Sequence, residues 1–452
     1  MKTLLRWPVL LALVGMLTIA CEEDRSYVEK INDPELLRMC MGNLSDVIVY
    51  DIFSPPVASR IYAYPSIGAY EVMAQEDARF VSLAGQLNGF EGLPAPTNED
   101  VLPKLAALQL FNILGDTLIF SKDKMIAFTD SFEKKVKEEY KVPNRVWDAS
   151  MAYARQAAGD MVAWMKKDNY AQTRTFPQFT VTEAAGRWVP TPPDYMASIE
   201  PHWNKIRPFM IDSATQFIPV RPPAFDLDPG SKFYQDLMEV YEVGKNLDKE
   251  RTEIAQFWDC NPFVMHHVGH VMYATKKITP GGHWVGITGQ ATRQAGSDFG
   301  ETAEAYLWCT VSLADAFISC WDEKYRSELI RPETVINQHI DENWVPFLQT
   351  PPFPEYTSGH SVISRAAATA LTHLYGDSFA YTDSVEVNWG LPPRSYSSFR
   401  EASSEAALSR LYGGIHYRPA IDNGVVQGEK VGNYIVEHLK TRAISDGISG
   451  NP

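Results

Sequence analysis

The spacing of apolar residues constrains the fold of this 452-residue chain more than any other feature. Apolar positions recur every three to four residues, as on the buried face of an α-helix, and the strict alternation of half-buried strands is scarce. The stretches with helical spacing are 34–53, 57–75, 101–114, 122–140, 145–167, 231–245, 249–258, 263–275, 300–330, 358–375, 402–412 and 420–442. The sequence therefore predicts an all-α protein, and a pair of helical bundles fits it.

One long segment interrupts the helical pattern. Residues 172–228 are rich in proline and aromatic residues. An irregular connection of this length is uncommon in a compact protein; it either contributes to function or covers helix faces, and we favour the second interpretation. The predicted organisation is an N-terminal helical region, residues 25–250, and a C-terminal helical domain, residues 251–442.

The start of the chain has the features of a secretory signal. Lys2 and Arg6 precede an apolar core that ends near Leu17, and a short lipobox-like site leads to Cys21. The apolar run is too short for a transmembrane helix, which needs about 18 or more apolar residues. The sequence predicts a lipoprotein-type signal peptide over residues 1–20 and lipidation of Cys21. The protein would then lie at the cell envelope, periplasmic or on the outer surface, and contact the membrane only through its lipid anchor.

The chain is acidic, which limits its partners. It carries 41 Lys and Arg against 56 Asp and Glu, a net charge of −15; removing residues 1–20 takes away two cations and no acid, which gives −17. Without a basic run, such a chain lacks the phosphate-neutralising surface of a nucleic-acid-binding protein. Small molecules are the expected partners, and the oligomeric state stays open.

Four cysteines follow the predicted signal peptide. They are Cys40, Cys260, Cys309 and Cys320. The absence of a Cys-x-x-Cys pair excludes a zinc ribbon, whereas one or two disulfides would be possible outside the cytoplasm.

Three short motifs between residues 324 and 416 collect the residue types that bind an oxyanion. The first is Lys324-x6-Arg331-Pro332. Residues seven apart lie two turns apart on nearly the same face of a helix, so both cations are expected on one helix. Pro332 would kink or end that helix just after Arg331.

The second motif, Thr357-Ser358-Gly359-His360, follows a proline-rich run and opens an alanine-rich apolar stretch. Ser358 and Gly359 are therefore expected at a helix N-terminus, where free N–H groups and the helix dipole attract anions. Glycine at this position also lets the backbone approach a ligand closely.

The third motif is Ser409-Arg410-x5-His416. Arg410 belongs to a helical run that starts near Ala402, and two glycines interrupt the run before His416. His416 is therefore expected on a turn, free to point where Arg410 points. Together the motifs supply three cations, a hydroxyl, a glycine amide and two imidazoles, an inventory that suits a tetrahedral or trigonal-bipyramidal oxyanion.

In this order, the motifs resemble the signature of the superfamily of vanadium-dependent haloperoxidases and type-2 phosphatidic acid phosphatases. That signature reads Lys-x6-Arg-Pro, Pro-Ser-Gly-His and Ser-Arg-x5-His-x3-Asp, and the resemblance covers roughly residues 250–440. Thr357 replaces the proline, and Ala420 replaces the aspartate that orients the axial histidine. Asp422, the nearest acid, or a backbone carbonyl would have to supply that hydrogen bond.

The resemblance implies two four-helix bundles, a vanadate cofactor and the oxidation of halide by hydrogen peroxide. His416 would be the axial vanadium ligand, His360 would shuttle protons, and Lys324 would also polarise the bound peroxide. The groups that would hold the equatorial oxygens are Lys324, Arg331, Ser358, the Gly359 amide and Arg410. Trp321 and Phe353 match halide-pocket positions of fungal chloroperoxidases, and ordinary core packing would explain both equally well.

Two other functions would use the same residues. An acid phosphatase for a phosphomonoester or a lipid phosphate would bind phosphate, with His416 as nucleophile and His360 protonating the leaving alcohol. A non-catalytic oxyanion-binding surface lipoprotein would need the cations but no proton-shuttling histidine. His360 therefore favours an enzyme, and haloperoxidase is the leading prediction.

Several polar residues upstream of the motifs are weaker candidates. His266 and His270, four apart on the predicted helix, could share a zinc ion, but His267 occupies the position of the zincin glutamate and no third ligand is marked. Buried or hydrogen-bonded helix histidines are the favoured interpretation. Nearby, Asn261 stands where the resembled chloroperoxidases carry an aspartate, and Asp259 is a candidate substitute.

Overall fold

A computed structural model describes residues 25–182, 184–268 and 270–443. Its α-helices are α1 (Ser26–Ile31), α2 (Glu35–Asp51), α3 (Pro55–Ala74), α4 (Pro103–Leu118), α5 (Lys122–Lys134), α6 (Asn144–Met165), α7 (Tyr170–Thr173), α8 (Lys232–Lys245), α9 (Lys249–Phe257), α10 (Pro280–Gln294), α11 (Phe299–Ser327), α12 (Pro332–His339), α13 (Gly359–Tyr375), α14 (Phe399–Tyr412) and α15 (Arg418–His438). A π-helical turn (Lys135–Glu139) extends α5, and 3₁₀ turns lie at Trp203–Lys205 and Val385–Trp389.

Strands play a minor part in the architecture. The four strands of the described residues are β1 (Val264–Val268), β2 (Val271–Thr275), β3 (Tyr381–Asp383) and β4 (Arg394–Tyr396). They form two separate antiparallel pairs, β1 with β2 and β3 with β4. The predicted all-α class is confirmed.

Helix α11 is the buried centre of the protein. Its residues are almost all shielded from solvent between Phe299 and Lys324, because it packs against α3 on one side and α13 on another. A capping box starts it: the side chains of Asp298 and Glu301 each accept the other's backbone N–H. One continuous hydrophobic cluster runs from the first helices to the last, so α11 and α13 are held within a single core. The division of the chain at residue 250 stays a prediction.

Helices α13 and α15 pack backbone against backbone. Gly424, Gly428 and Gly432 recur every four residues on α15, so they share one face of the helix. A Cβ atom at Gly428 would lie 2.1 Å from the carbonyl oxygen of Val362 on α13. At the end of this contact, the amide of Ser358 donates to the carbonyl of Ala420 (3.0 Å). The close packing therefore fixes the N-terminus of α13 relative to α15.

The proline- and aromatic-rich tract is anchored on α11. The buried carboxylate of Asp315 accepts the backbone N–H groups of Phe209 (2.7 Å), Met210 (2.7 Å) and Ile211 (2.9 Å). Burial raises the pKa of Asp315 to about 6, and the three amide donors oppose that rise. The contact agrees with the interpretation of the tract as a loop that wraps the helices.

The helix predicted over residues 263–275 is wrong, because this segment forms the β1–β2 hairpin. Its valines and threonine are β-branched, which favours strands, and a glycine separates the two apolar runs. The helical spacing assumed for His266 and His270 is therefore also wrong. His270 is exposed, and the side chains of His266 and His267 lie outside the described part of the structure.

The helix predicted over residues 300–330 ends earlier, which moves Arg331 to another element. Helix α11 ends at Ser327, and Glu328 adopts a left-handed conformation (φ 49°). Arg331 is the N-cap of α12, with Pro332 at its first position. Proline is favoured there because its missing N–H is unpaired at a helix start in any case. The prediction that one helix carries both Lys324 and Arg331 is therefore wrong.

The predicted signal peptide and Cys21 lie outside the described residues, so both stay predictions. Among the residues that the structure describes, no helix is long and apolar enough to cross a membrane.

Candidate active site

The second motif lies where the sequence predicted, at the start of a helix. Ser358 is the N-cap of α13, and its hydroxyl accepts the amide N–H of Ser361 (3.4 Å). Gly359 is the first residue of the helix, and a ring carbon of Trp321 lies 3.7 Å from the position that its Cβ would take. The positive end of α13 therefore adjoins the cavity that Gly359, His360 and Trp321 help to line.

His416 lies on the turn between α14 and α15, as predicted, but its partner is a residue that sequence reasoning missed. Its Nδ1 atom lies 2.8 Å from Oε1 of the buried Glu355, and the same oxygen accepts the amide N–H of Tyr417 (2.9 Å). Asp422, the expected substitute, is exposed. The prediction that Asp422 or a carbonyl orients His416 is therefore wrong, because Glu355 reaches the ring from the run before α13.

The protonation state of His416 follows from its surroundings. Burial, and then the cations Arg331 and Lys324, hold its pKa well below the usual value, so the ring is neutral. Because Nδ1–H donates its hydrogen bond to Glu355, the neutral ring keeps a lone pair at Nε2. Nη1 of Arg331 lies 3.2 Å from this atom and donates to it. This lone pair makes Nε2 a candidate ligand atom, and a ligand would replace the bond from Arg331.

Arg331 is fully buried and held by main-chain groups. Its Nε donates to the carbonyl of Phe353 (2.9 Å), and Nη1 donates to the carbonyl of Ile415 (2.8 Å). Burial lowers the pKa of Arg331 to about 10, which leaves the guanidinium charged at neutral pH. It brings a positive charge next to His416 although it lies on a different helix from the one predicted.

Lys324 is also fully buried, but its ammonium group faces the main chain. Nζ donates to the carbonyls of Pro354 (3.0 Å), Glu355 (3.1 Å) and Thr357 (2.5 Å). An ammonium has three donors, so these three bonds use them all. Burial lowers the pKa of Lys324 to about 7. The predicted direct contact with an oxyanion would therefore require one of these bonds to be released.

Arg410 and His360 meet at the backbone of Trp258. Nη1 of Arg410 donates to the carbonyl of Trp258 (3.1 Å). The pKa of His360 is held well below its usual value by burial and by the Arg410 charge, and a backbone hydrogen bond with Trp258 opposes this. His360 is therefore a neutral imidazole beside a buried cation.

One cavity joins three of the predicted site side chains to the predicted halide pocket. His360, Arg410 and His416 line it together with Trp321 and Phe353. The two aromatic rings contact each other, with centroids 5.0 Å apart, and both are buried. Trp321 and Phe353 are thus part of the core and part of the cavity wall at once.

Comparisons with known proteins match a C-terminal segment of the chain and the whole fold. The family model described as the VCPO second helical-bundle domain matches residues 304–443. The crystal structure of the first bacterial vanadium-dependent iodoperoxidase is 51% identical, covers 92% of this chain and 99% of its own, and superposes with a TM-score of 0.87. The chain belongs to the vanadium-dependent haloperoxidases. The predicted family and the predicted haloperoxidase enzyme are confirmed, ahead of the phosphatase and the non-catalytic binding protein.

More distant structures share the haloperoxidase fold. The holo-type bacterial vanadium-dependent chloroperoxidase has a TM-score of 0.66 at 16% identity, over 86% of this chain and 93% of its own. The apo-type chloroperoxidase has a TM-score of 0.63 at 15% identity, over 85% and 94%. A comparison with curated proteins gives no significant match.

The donor set of this haloperoxidase fits an oxyanion. Three buried side-chain atoms of the motifs have no hydrogen-bond partner among the described residues: Nη2 of Arg331, Nε of Arg410 and Nε2 of His360. An unpaired buried polar group costs about 1–3 kcal/mol, and more when it is charged. Vanadate would meet two guanidinium donors and the lone pair of His416, so the residues present suit that group.

The structure also places the weaker candidate residues upstream of the motifs. Asn261 lines the cavity and donates weakly to the carbonyl of Gln349 (3.4 Å). Asp259 was the candidate to replace the aspartate missing at position 261. Its carboxylate forms an ion pair with Lys277 instead. All four described cysteines are free and buried, so none of the disulfides considered forms.

Proposed function

We propose that this haloperoxidase binds vanadate at His416 and uses hydrogen peroxide to oxidise iodide in preference to bromide or chloride. The observation that carries the vanadate site is the set of unpaired buried atoms of Arg331, Arg410 and His360. Arg331 contacts Nε2 of His416, and Arg410 and His360 line the same cavity as His416. The iodide preference is supported by the 51% identity to a bacterial iodoperoxidase.

His416 would be the protein ligand through Nε2. Its hydrogen bond to Glu355 fixes the tautomer and the ring plane, as second-layer carboxylates do for metal-binding histidines. Bound vanadate would supply a Lewis-acid centre that activates peroxide toward halide, so that the halide is oxidised and the peroxide reduced while vanadium keeps its oxidation state. The remaining steps belong to the residues of this chain.

Arg331 and Arg410 would neutralise the charge of the oxyanion. A contact between unit charges at about 4 Å is worth about 4 kcal/mol at an effective dielectric near 20, so two guanidinium groups offset much of the lost hydration. Ser358 and the amide of Gly359 would add neutral donors at the positive end of α13.

Lys324 would act on the oxyanion mainly through its charge and its hold on the main chain. Its bonds to the carbonyls of Pro354, Glu355 and Thr357 fix the run that carries both Glu355 and Ser358. Direct polarisation of peroxide by Lys324 would require Nζ to exchange a carbonyl for the ligand.

His360 would hold and move the proton of the incoming peroxide. Its Nε2 atom has no partner among the described residues, and its ring is neutral because it is buried next to Arg410. A neutral imidazole with a free nitrogen can accept a proton and return it.

Trp321 and Phe353 would form the apolar wall that receives the halide. Moving an anion from water to an apolar wall costs free energy, and the cost is lowest for the largest and most weakly hydrated halide. This favours iodide, which needs less compensation from hydrogen bonds than chloride does.

Halide oxidation by the vanadate-loaded protein tests the proposed function. The protein is incubated with orthovanadate, freed of excess, and assayed for triiodide formation with iodide and peroxide, with bromide and chloride in parallel. His416→Ala should abolish the activity. His438→Ala is the matched control, since His438 lies at the exposed end of α15. Phosphatase activity of the vanadate-free protein without peroxidase activity of the loaded protein would overturn the proposal.

We also propose that residues 1–20 direct the haloperoxidase out of the cytoplasm and that Cys21 anchors it by a lipid at the cell envelope. The proposal rests on the charged start, the short apolar core and the lipobox-like site before Cys21.

A further inference from the structure

A cluster of side chains of metal-ligating types lies beside the active-site cavity. Cys260, His283 and Glu386 are all buried, and each directs a ligand atom at the others. Sγ of Cys260 lies 3.4 Å from Nδ1 of His283, and Oε1 of Glu386 lies 3.2 Å from that nitrogen and 3.8 Å from the sulfur. The three residues come from the loop after α9, the first turn of α10 and the 3₁₀ turn Val385–Trp389.

The three ligand atoms also converge closely enough to surround one ion. Nδ1 of His283 carries at most one proton, yet it faces both the Cys260 sulfur and the Glu386 carboxylate. Three ligand atoms around a tetrahedral zinc, at bond lengths of about 2.0–2.3 Å, stand about 3.3–3.7 Å apart. The observed separations are close to this range, so one ion would satisfy all three atoms.

The opposite side of the imidazole is arranged as at a metal site. Nε2 of His283 lies 2.7 Å from Oδ2 of Asp383, a fully buried carboxylate. Oδ1 of Asp383 accepts the amide N–H of Val385 (2.9 Å), which fixes its orientation. A carboxylate that accepts the second ring N–H commonly orients a metal-bound histidine and leaves the other nitrogen free for the ion.

We propose that Cys260, His283 and Glu386 bind one zinc ion as thiolate, neutral imidazole and carboxylate, with water in the fourth position. The mixed sulfur, nitrogen and oxygen set suits zinc and disfavours magnesium and calcium, which take oxygen ligands. Binding displaces the Cys260 thiol proton and the Nδ1 proton of His283 to solvent, and the freed sulfur and nitrogen lone pairs form the new bonds.

A zinc ion at this site would help to position Arg410 in the active site. Cys260 lines the active-site cavity, and Trp258, two residues earlier, stacks on His283 with ring centroids 4.6 Å apart. The carbonyl of Trp258 accepts the hydrogen bond from Arg410. Zinc at Cys260 would hold the loop that orients Arg410, so these ligands are positioning residues.

Metal stoichiometry and a cobalt spectrum test the proposal on the full-length protein. Metal-free protein is incubated with zinc, passed through a desalting column and analysed for zinc by mass spectrometry. It is separately loaded with cobalt(II), whose bond to a thiolate gives a charge-transfer band in the near ultraviolet. The wild type should retain one zinc and show this band.

Variants identify the ligands. Cys260→Ser should lose the thiolate band and bind zinc about 10–100-fold more weakly, and Glu386→Gln should keep the band but bind more weakly. Cys309→Ser is the matched control, because Cys309 is equally buried but lies on α11 away from the cluster, and it should behave as the wild type.

The wild-type protein alone can overturn the proposal, whatever happens to the variants. Retention of no zinc, or a cobalt spectrum without a thiolate band, would show that the cluster is only a hydrogen-bonded network. A thiolate band that persists in folded Cys260→Ser protein would place the metal elsewhere. Neither readout depends on vanadate or on halide oxidation, so the two proposals fail separately.

Discussion

Glu355 orients His416: its Oε1 atom accepts the Nδ1 proton at 2.8 Å and the amide proton of Tyr417 at 2.9 Å. The contact presents the Nε2 lone pair of His416 to the cavity. The orienting acid comes from the run before α13, whereas the family signature carries it four residues after the histidine. The acid that orients the histidine therefore comes from a different part of the chain in this protein.

Removal of this acid should weaken vanadate binding. Glu355→Ala frees the His416 ring to rotate and to change tautomer, which should raise the vanadate dissociation constant about 10–100-fold. Glu355→Gln keeps an oxygen that can accept from Nδ1, so its vanadate dissociation constant should lie between those of the wild type and Glu355→Ala. Equilibrium dialysis with vanadate measures the change.

Asp422→Ala is the control for that prediction, because Asp422 is the acid that the sequence spacing favoured. It is exposed, so the variant should bind vanadate as the wild type does. If Asp422→Ala lost as much vanadate affinity as Glu355→Ala, the assignment of Glu355 as the acid that orients His416 would be contradicted.

The sequence predicted the local geometry of the site well where a motif fixed it. A serine and a glycine after a proline-rich run and before an apolar stretch predict a helix N-terminus, and Ser358 caps α13. Two glycines between helical runs predict a turn, and His416 lies on one. Each of these inferences depends only on residues close together in the chain.

Prediction from the sequence was wrong, or missed a residue, where the site depends on contacts between distant segments. A spacing of seven residues fits one helix, but the left-handed Glu328 ends α11 before Arg331. The bond of Glu355 to His416 spans 61 residues, and no local pattern marks it. The only hint was an acid in an otherwise apolar proline-rich run.

Vanadate affinity should fall as the pH rises through neutrality. Burial lowers the pKa of Lys324 to about 7 and raises the pKa of Glu355 to about 7. As pH increases past this value, Lys324 loses a positive charge and Glu355 gains a negative one, so both changes oppose an anion. The dissociation constant measured at about pH 6 should be lower than at about pH 8.

Lys324→Met isolates the lysine part of this effect, since it removes the titrating charge and keeps an unbranched side chain. The variant should bind more weakly and show a smaller change between the two pH values. An equal pH dependence in wild type and variant would contradict the role of Lys324.

The close packing of α13 and α15 should tolerate no side chain at Gly428. Gly428→Ala places a Cβ 2.1 Å from the carbonyl oxygen of Val362, a backbone atom that cannot move aside alone. The free energy of unfolding should fall by about 1–3 kcal/mol or more. Denaturant unfolding measures the change.

Gly42→Ala is the matched control for Gly428, because it also lies inside a helix and nothing stands within 4 Å of its would-be Cβ. Alanine there should leave the stability unchanged or raise it by about 1 kcal/mol. Equal destabilisation by both substitutions would contradict the packing argument.

Cys21→Ser should release the haloperoxidase from membranes, because serine cannot carry the thioether-linked lipid. Fractionation of cells that express the full chain, with immunodetection of membrane and soluble fractions, measures the release. Thr18→Ser keeps the cysteine and is the control. A Cys21→Ser protein that stays in the membrane fraction would contradict the lipid anchor.

The most direct test of the vanadate site is a crystal structure of the protein soaked with orthovanadate. One vanadate should be bonded to Nε2 of His416 and accept hydrogen bonds from Arg331 and Arg410. A vanadate bound elsewhere, or one that leaves His416 uncoordinated in well-ordered crystals, would contradict the account.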